Sequence, residues 1–468
     1  MNNSRLFSVL TNLEGYERRE LVQWVQSPFF NRRREVSELF HLLVHSYFEL
    51  NIIPEKTEVF ATLCPGQSYD AQRVRQWMSW LLELIEQYFA YKELAQDILQ
   101  RKLHLARAYR HRRHYAQFDR HWQDLAAQRL EQPFRSDNYY ETGYFLERER
   151  YLFTATQQRT GEHKLQSLSD QTDLAFVLRK LRQACLMLAH QAVNQTEYSI
   201  GFLSEVLKYA ETLSVEDHPA IAVYYHGYRM LESQSHEDHF PVFRALMMTY
   251  RQLFPDEEWR DLLLLAINYC IRQFNQGEEK FATEGLELYK VGLESQLLLT
   301  DGQLSRFAYR NIVALALKVG DLALADRFIH EYKRALPTAH RESMFSFSLA
   351  RLEYQRGHYD AALLLLQKAE YTDVLLNLAA KTLQIKIFFE RNEWDWLQAH
   401  LDAMHNFIRR KRLLGYHRQN YLGVVRYTRM LMAVNPYDKQ GVENLRKKLL
   451  EEEMLTEKDW LLDQLNQL

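Results

Sequence analysis

Gly320-Asp321-Leu322, Gly357-His358-Tyr359 and Asn392-Glu393-Trp394 are three short breaks in an otherwise helical stretch of the sequence. Successive breaks are 37 and 35 residues apart, and each lies between two helix-length segments whose apolar residues recur with helical spacing. A repeat of this length is typical of stacked helical hairpins. We therefore predict an all-α chain that contains an α-solenoid of antiparallel helix hairpins.

The composition favours helices over strands along the whole chain. Only 15 Gly and 9 Pro occur among 468 residues, so residues that break helices are scarce. The sequence is 47% hydrophobic and 26% charged, which is an ordinary balance for a folded protein. We find no sustained alternation of Val, Ile and Thr with polar residues, the pattern that strands require.

Charge and cysteine usage exclude some classes of function. Lys and Arg total 59 against 61 Asp and Glu, which argues against a dedicated nucleic-acid or membrane-surface protein. Cys64, Cys185 and Cys270 are far apart, as expected in a reducing compartment. The first 20 residues lack an apolar core of signal-peptide type, and the longest apolar run is too short to span a bilayer. We expect a cytoplasmic protein without membrane insertion.

Three segments are predicted, with no long linker between them. Residues 1–90 lack the repeat and are interpreted as a helical N-terminal capping block, which a solenoid requires at its end. Residues 91–256 are predicted to form an irregular array of helical hairpins, and residues 257–468 a regular one. The last helix begins at Thr456-Glu457-Lys458-Asp459, a start similar to a capping box, and is expected to cap the array.

Two of the repeat units resemble a known motif. Gly357-His358-Tyr359-Asp360-Ala361-Ala362, followed by Leu366 and Ala369, resembles the second half of a tetratricopeptide repeat, and so does Gly320 to Ala325 followed by Ile329. The resemblance covers about residues 300–412 and lacks the usual early Trp-Leu-Gly signature. It implies a right-handed superhelical array with a concave groove, lined by the first helix of each hairpin, that binds peptides or protein surfaces.

The resemblance supplies candidate binding residues in that groove. Counting back six residues from each turn reaches Ala314 and three basic residues, and neighbouring positions add polar and aromatic side chains. The full set of candidates is Arg310, Asn311, Arg351, Tyr354, Lys386, Phe389 and Arg429. A row of cations beside aromatic rings suits an acidic peptide, a chain-terminal carboxylate or an acidic helix. The alternative is that these are solvated positions on charge-rich helices.

A second basic stretch lies between residues 101 and 122. Its arginines are Arg101, Arg107, Arg110, Arg112, Arg113 and Arg120. Tyr109, Tyr115, Phe118 and Trp122 interleave with them, and this mixture is found in proteins that bind nucleic acid. The alternative, favoured by the near-neutral charge of the chain, is a helical hairpin whose aromatic residues face the core and whose arginines face water.

The sequence contains no motif for catalysis or for a cofactor, so we predict no enzyme activity, no cofactor and no metal. His236-Glu237-Asp238-His239 has metal-ligand residue types, but neighbouring residues in a turn do not easily converge on one ion. The expected function is a scaffold or adaptor that binds a protein or peptide in the groove. The alternative is a regulatory module that contacts nucleic acid through residues 101–122. The oligomeric state does not follow from the sequence.

Overall fold

The computed structural model describes residues 3–157, 164–194, 196–232, 238–368, 371, 373–410, 415–452 and 455–467. Within these residues the chain is all-α, as predicted, with 23 α-helices and one two-stranded β-hairpin. It divides into two compact units, the first comprising Met1–Ala184 with Ile200–Ala222 and the second Cys185–Ser199 with Val223–Leu468. The three sequence segments proposed above stay a prediction.

The first unit contains nine complete helices and parts of two more. The complete helices are α1 Arg5–Leu10, α2 Gly15–Gln26, α3 Arg34–Val44, α4 Lys56–Leu63, α5 Ala71–Gln96, α6 Ile98–His111, α7 Tyr115–Glu131, α8 Asp137–Gln157 and α10 Leu203–Glu211. A π-helical turn, His45–Glu49, follows α3. Helices α9 (Leu165–Val193) and α11 (Pro219–Leu231) contribute residues to both units.

Helices α1 to α5 share one apolar core in the first unit. Helix α5 begins where the Asp70 carboxylate accepts hydrogen bonds from the backbone N–H groups of Gln72 and Arg73, at 2.9 and 3.1 Å. Val74, Leu81 and other residues at helical spacing then form a buried stripe on α5.

The second unit contains the helices of the predicted repeat. They are α12 His239–Thr249, α13 Asp256–Asn275, α14 Lys280–Glu294, α15 Arg306–Val319, α16 Leu322–Glu331, α17 Arg341–Gln355, α18 Tyr359–Lys368, α19 Val374–Glu390, α20 Trp394–Arg410, α21 Gly415–Ala433, α22 Lys439–Glu451 and α23 Lys458–Asn466. Short 3₁₀ turns lie at Arg251–Leu253, Tyr332–Ala335 and Thr338–His340. Among the helices of the described residues, none is both long and apolar enough to cross a membrane.

The three breaks of the repeat are the three interhelical turns, as predicted. Gly320 between α15 and α16, Gly357 between α17 and α18, and Asn392 between α19 and α20 all have left-handed backbones, with φ of 83°, 78° and 58°. This conformation ends a helix, and glycine and asparagine adopt it most readily. The Asp321 carboxylate then accepts a 2.9 Å hydrogen bond from Leu324 N–H and starts α16.

Each helix from α12 to α23 packs on the next one along the chain. First helices of neighbouring hairpins also contact each other, α15 with α17 and α17 with α19, and α21 contacts α23. Such contacts between consecutive helices are compatible with a helical repeat. The right-handed superhelix and the likeness to tetratricopeptide repeats stay predictions.

A β-hairpin that the sequence analysis did not predict lies between α14 and α15. Strands β1 (Leu299–Thr300) and β2 (Gln303–Leu304) pair antiparallel, with Leu299 opposite Leu304. Asp301 and Gly302 form the two-residue turn, with φ of 51° and 73°. Asp-Gly with positive φ at both positions is the preferred two-residue hairpin turn. Only two residues form each strand, too few for the alternating pattern to be recognised.

The left-handed turn at Gly320 yields a stability prediction. A Cβ at this position has no atom within 4 Å, so Gly320→Ala adds only backbone strain. We expect it to lower the free energy of unfolding by about 1 kcal/mol, measured by urea denaturation. The control is Gly201→Ala, where space is also open but φ lies outside the left-handed region. Equal free energies of unfolding for the two variants contradict the assigned turn geometry.

A candidate partner-binding cavity in the second unit

A cavity of about 420 Å³ lies within the second unit. Its walls come from α13, α15, α17, α19 and α21, the first helices of the predicted hairpins, together with the residues that lead into α23. The lining residues are Phe274, Arg310, Ala314, Leu317, Lys318, Phe347, Arg351, Tyr354, Gln355, Ala379, Thr382, Leu383, Lys386, Tyr421, Thr456 and Glu457. Second helices of the hairpins contribute no residue to this set.

Four of the predicted binding residues lie together in this cavity. Arg310 comes from α15, Arg351 and Tyr354 come from α17, and Lys386 comes from α19. Because α15 packs on α17 and α17 on α19, residues on the shared face of these helices become neighbours. The spacing from the interhelical turns therefore placed these side chains on a common face.

The other three predicted binding residues lie outside the cavity lining. Phe389 is buried in the core against Trp394 and Trp460. Asn311 donates a 3.2 Å hydrogen bond to the Tyr289 hydroxyl. Arg429 forms an ion pair with Asp402 of α20. Asn311 follows Arg310 by one residue, and a step of one residue turns a side chain about 100° around a helix of 3.6 residues per turn, away from the cavity.

The lining carries more positive than negative charge. Its cations are Arg310, Lys318, Arg351 and Lys386, and its one carboxylate among the described residues is that of Glu457. Lys318 is paired with Glu279 outside the lining at 2.8 Å. Lys386 is paired with Glu457 at 2.7 Å, and the exposed fraction of its side chain is only 14%.

The two arginines of the cavity have no carboxylate partner in the part of the chain that the structure describes. Among the described residues, neither the Arg310 nor the Arg351 guanidinium forms a hydrogen bond or an ion pair with protein. Burial lowers the pKa of the Arg351 guanidinium, Glu457 raises it and Arg310 lowers it again. A desolvated cation beside a second cation gains free energy from an anion that binds between them.

Tyr354 is held in the cavity wall by Glu390. The Glu390 carboxylate accepts hydrogen bonds from the hydroxyls of Tyr354 and Tyr359 and, at 2.7 Å, from Trp460 Nε1. Burial and this bond to Glu390 raise the pKa of the Tyr354 phenol, so that the phenol stays a donor at neutral pH. The Tyr354 ring lies 5.1 Å from Lys386 Nζ and adds a cation–π contact.

Glu457 was not predicted as a cavity residue. The start of α23 also differs from the prediction. The helix begins at Lys458 with Glu457 as its N-cap residue, and Glu457 makes no capping hydrogen bond. Thr456 N–H donates instead to Asn420 Oδ1 of α21. The predicted capping box does not form, and Lys386, 71 residues away in sequence, donates a hydrogen bond to the Glu457 carboxylate.

The basic stretch of residues 101–122 forms part of α6 and α7 in the first unit. Arg107 and Arg110 both point to the buried Glu149 of α8, with N–O distances of 2.9 and 2.8 Å. Burial raises the pKa of the Glu149 carboxyl, but hydrogen bonds from Arg110 and Arg107 outweigh it and hold the pKa below its usual value. Two of the six predicted arginines thus stabilise the helix packing.

The aromatic residues of this stretch face the neighbouring helices. Phe118 is buried and stacks on Phe153 of α8 with ring centroids 4.1 Å apart. Trp122 Nε1 donates a 3.0 Å hydrogen bond to the Leu146 carbonyl. The remaining arginines of the predicted patch are exposed: Arg101, Arg112, Arg113 and Arg120. Nucleic-acid binding by this surface stays a prediction.

The sequence motif with metal-ligand residue types lies partly outside the described residues, which include Asp238 and His239 but not His236 and Glu237. Within the part of the chain that the structure describes, no three His, Cys, Asp or Glu side chains are grouped as a metal ion requires.

Glu149 offers a test of the packing between α6 and α8. We expect Glu149→Gln to lower the free energy of unfolding at pH 7 by about 3 kcal/mol, because it leaves two arginines without their charge partner. The lowered pKa of Glu149 stabilises the fold above about pH 4.5, and this stabilisation is lost as the pH falls further. The difference between wild type and variant should therefore shrink in acid, as followed by urea denaturation at several pH values.

The control for that measurement is Glu131→Gln, which removes an exposed carboxylate at the end of α7. It should change the free energy of unfolding by less than about 0.5 kcal/mol at every pH. If the two variants behave alike, the Glu149 ion pairs do not stabilise the packing of α6 and α8.

Comparisons with protein-family models, with curated proteins and with solved structures give no match for this chain.

Proposed function

We propose that this protein is a non-enzymatic scaffold or adaptor that binds an acidic segment of a protein partner in the cavity of its second unit. The hairpins α13 to α22 form a right-handed array like that of tetratricopeptide repeats, and the first helices line its concave face. The observation that carries the proposal is the convergence of Arg310, Arg351 and Lys386, from three successive first helices, on one cavity.

The charge of the cavity supports an anionic partner. Arg310 and Arg351 have no protein carboxylate to bind among the described residues, and a guanidinium binds a carboxylate through two parallel hydrogen bonds. Such a pair is strongest where water is excluded, and the environment of Arg351 is desolvated. A carboxylate from a partner therefore finds unpaired donors in this cavity.

The shape of the surface supports a chain segment as the ligand. A second depression of about 150 Å³ adjoins the first and shares Arg310 with it. Its lining includes Phe307, Met344 and Leu376, which offer apolar contacts beside the cations. Two depressions that share Arg310 and offer both charged and apolar side chains suit a peptide that places successive side chains in them.

The lining residues also support a role without catalysis. Among the described residues, those of the 420 Å³ cavity include no histidine or cysteine and one carboxylate, so they provide no pair of groups with matched acid and base roles. The proposed compartment is the cytoplasm, since Cys64, Cys185 and Cys270 are buried free thiols.

The test is an affinity purification from lysate of the native host, followed by zero-length carbodiimide coupling, which joins lysine amines to carboxylates. We expect a partner whose Asp or Glu residues couple to Lys318 or Lys386. Arg351→Gln/Lys386→Gln should reduce recovery of this partner at least about tenfold, because it removes charge-assisted hydrogen bonds. Mass spectrometry measures both recovery and coupling sites.

The matched control is Lys447→Gln/Lys448→Gln, which removes the same charge from exposed positions on α22 outside the cavity. This control variant should recover the partner as wild type does, and circular dichroism should show that both variants fold. The proposal is wrong if the cavity variant retains the partner, or if the partner couples only to lysines away from the cavity.

A further inference from the structure

Glu457 occupies the position in which an external carboxylate would meet the cations of the cavity. Its carboxylate oxygen lies 2.7 Å from Lys386 Nζ, and its charge also acts on the guanidinium of Arg351. Because Lys386 lies 5.1 and 5.6 Å from the rings of Tyr354 and Trp460, this ion pair is enclosed by aromatic side chains. Glu457 thus makes the kind of contact that an acidic partner needs.

Other acidic residues of α23 reinforce this arrangement. The hydrogen bond from Lys318 to Glu279 raises the pKa of the Lys318 ammonium, and the charges of Asp459 and Asp463 raise it further. The charges of Glu457, Asp459 and Asp463 therefore act on three cations of the cavity lining, although only Glu457 is itself part of that lining.

The carboxylate of Glu457 is directed to Lys386 and not to its own helix. An acidic N-cap residue normally accepts a hydrogen bond from the first turn of its helix, and Glu457 does not. Its backbone is left-handed, with a φ of 60°.

Helix α23 stays in place through contacts that do not involve Glu457. Trp460, Leu461 and Leu465 are buried in the core that α23 shares with α19 to α22. Trp460 Nε1 also donates to Glu390. The Glu457 side chain, with an exposed fraction of 34%, can therefore leave Lys386 while the rest of the helix remains docked.

Resting on the function proposed above, we propose that Glu457 is an internal competitor for the cavity. In the free protein its carboxylate holds Lys386. An acidic residue of the partner displaces it, pairs with Lys386 and accepts hydrogen bonds from Arg351 and Arg310. Binding then requires the state in which Glu457 is released. The apparent affinity is therefore the intrinsic affinity multiplied by the fraction of molecules in that state.

A binding titration tests this competition with a fluorescein-labelled hexaglutamate peptide on the full-length protein. Glu457→Asn removes the carboxylate and suits the left-handed backbone. We expect it to bind the peptide about fivefold more tightly than wild type, because every molecule is then competent. Arg351→Gln should bind at least about tenfold more weakly. Glu451→Gln, an exposed charge-matched control on α22, should bind as wild type does.

Carbodiimide coupling gives a second readout that does not depend on a variant. The free protein should yield a coupled product between Lys386 and Glu457, since the two groups are in contact. Hexaglutamate should reduce the yield of this product in proportion to the fraction of cavities that the peptide occupies. A product in which the peptide is coupled to Lys386 should appear in its place. A terminally blocked hexaglutamine peptide at the same concentration should leave the internal product unchanged, because it offers neither a carboxylate nor an amine.

The outcomes separate this inference from the proposed function. If wild type binds the peptide, Arg351→Gln does not, and Glu457→Asn binds equally or more weakly, the cavity binds acidic ligands but Glu457 is no competitor. If neither wild type nor Glu457→Asn binds the peptide, both the proposed function and the competition are wrong. If the peptide binds without reducing the Lys386–Glu457 product, the displacement of Glu457 is excluded.

Discussion

The arrangement of the second unit depends on the packing between successive first helices. A single helical hairpin leaves an apolar face exposed, and the contacts of α15 with α17 and of α17 with α19 bury that face. The left-handed residues Gly320, Gly357 and Asn392 allow each chain reversal, so that the first helices return to the same side. Polar residues at the edge of this packed face cannot enter the core, and they line the cavity instead.

The cavity brings several cations close together, although their mutual repulsion and their partial removal from water are both unfavourable. Arg310, Arg351 and Lys386 lie on neighbouring helices, and Glu457 is their one carboxylate within the described lining. A protein tolerates such a cluster when ion pairs offset the cost, or when a ligand supplies the missing charge. The contact between Lys386 and Glu457, the N-cap residue of α23, supplies part of that charge from within the chain.

In the first unit, arginines are paired with a buried carboxylate, in contrast to the arginines of the cavity. Arg107 and Arg110 belong to a stretch with the composition of a nucleic-acid surface, yet both donate to the buried Glu149. Their partner is 39 to 42 residues away along the chain, beyond any local pattern. Arginines near buried carboxylates stabilise packing, whereas arginines without them, as in the cavity, are available to a ligand.

Helical periodicity and turn residues in the sequence by themselves determined the all-α class and the three turns of the repeat, and the resemblance to tetratricopeptide repeats added the prediction that Arg310, Arg351, Tyr354 and Lys386 share a face. These features are local, because a helix repeats every 3.6 residues and a turn needs a left-handed residue. Only the tertiary structure decided that Phe389 enters the core, that Arg429 pairs with Asp402 and that Glu457 reaches Lys386. Contacts between distant segments depend on how helices pack, and the sequence pattern of one helix carries no information about its partner.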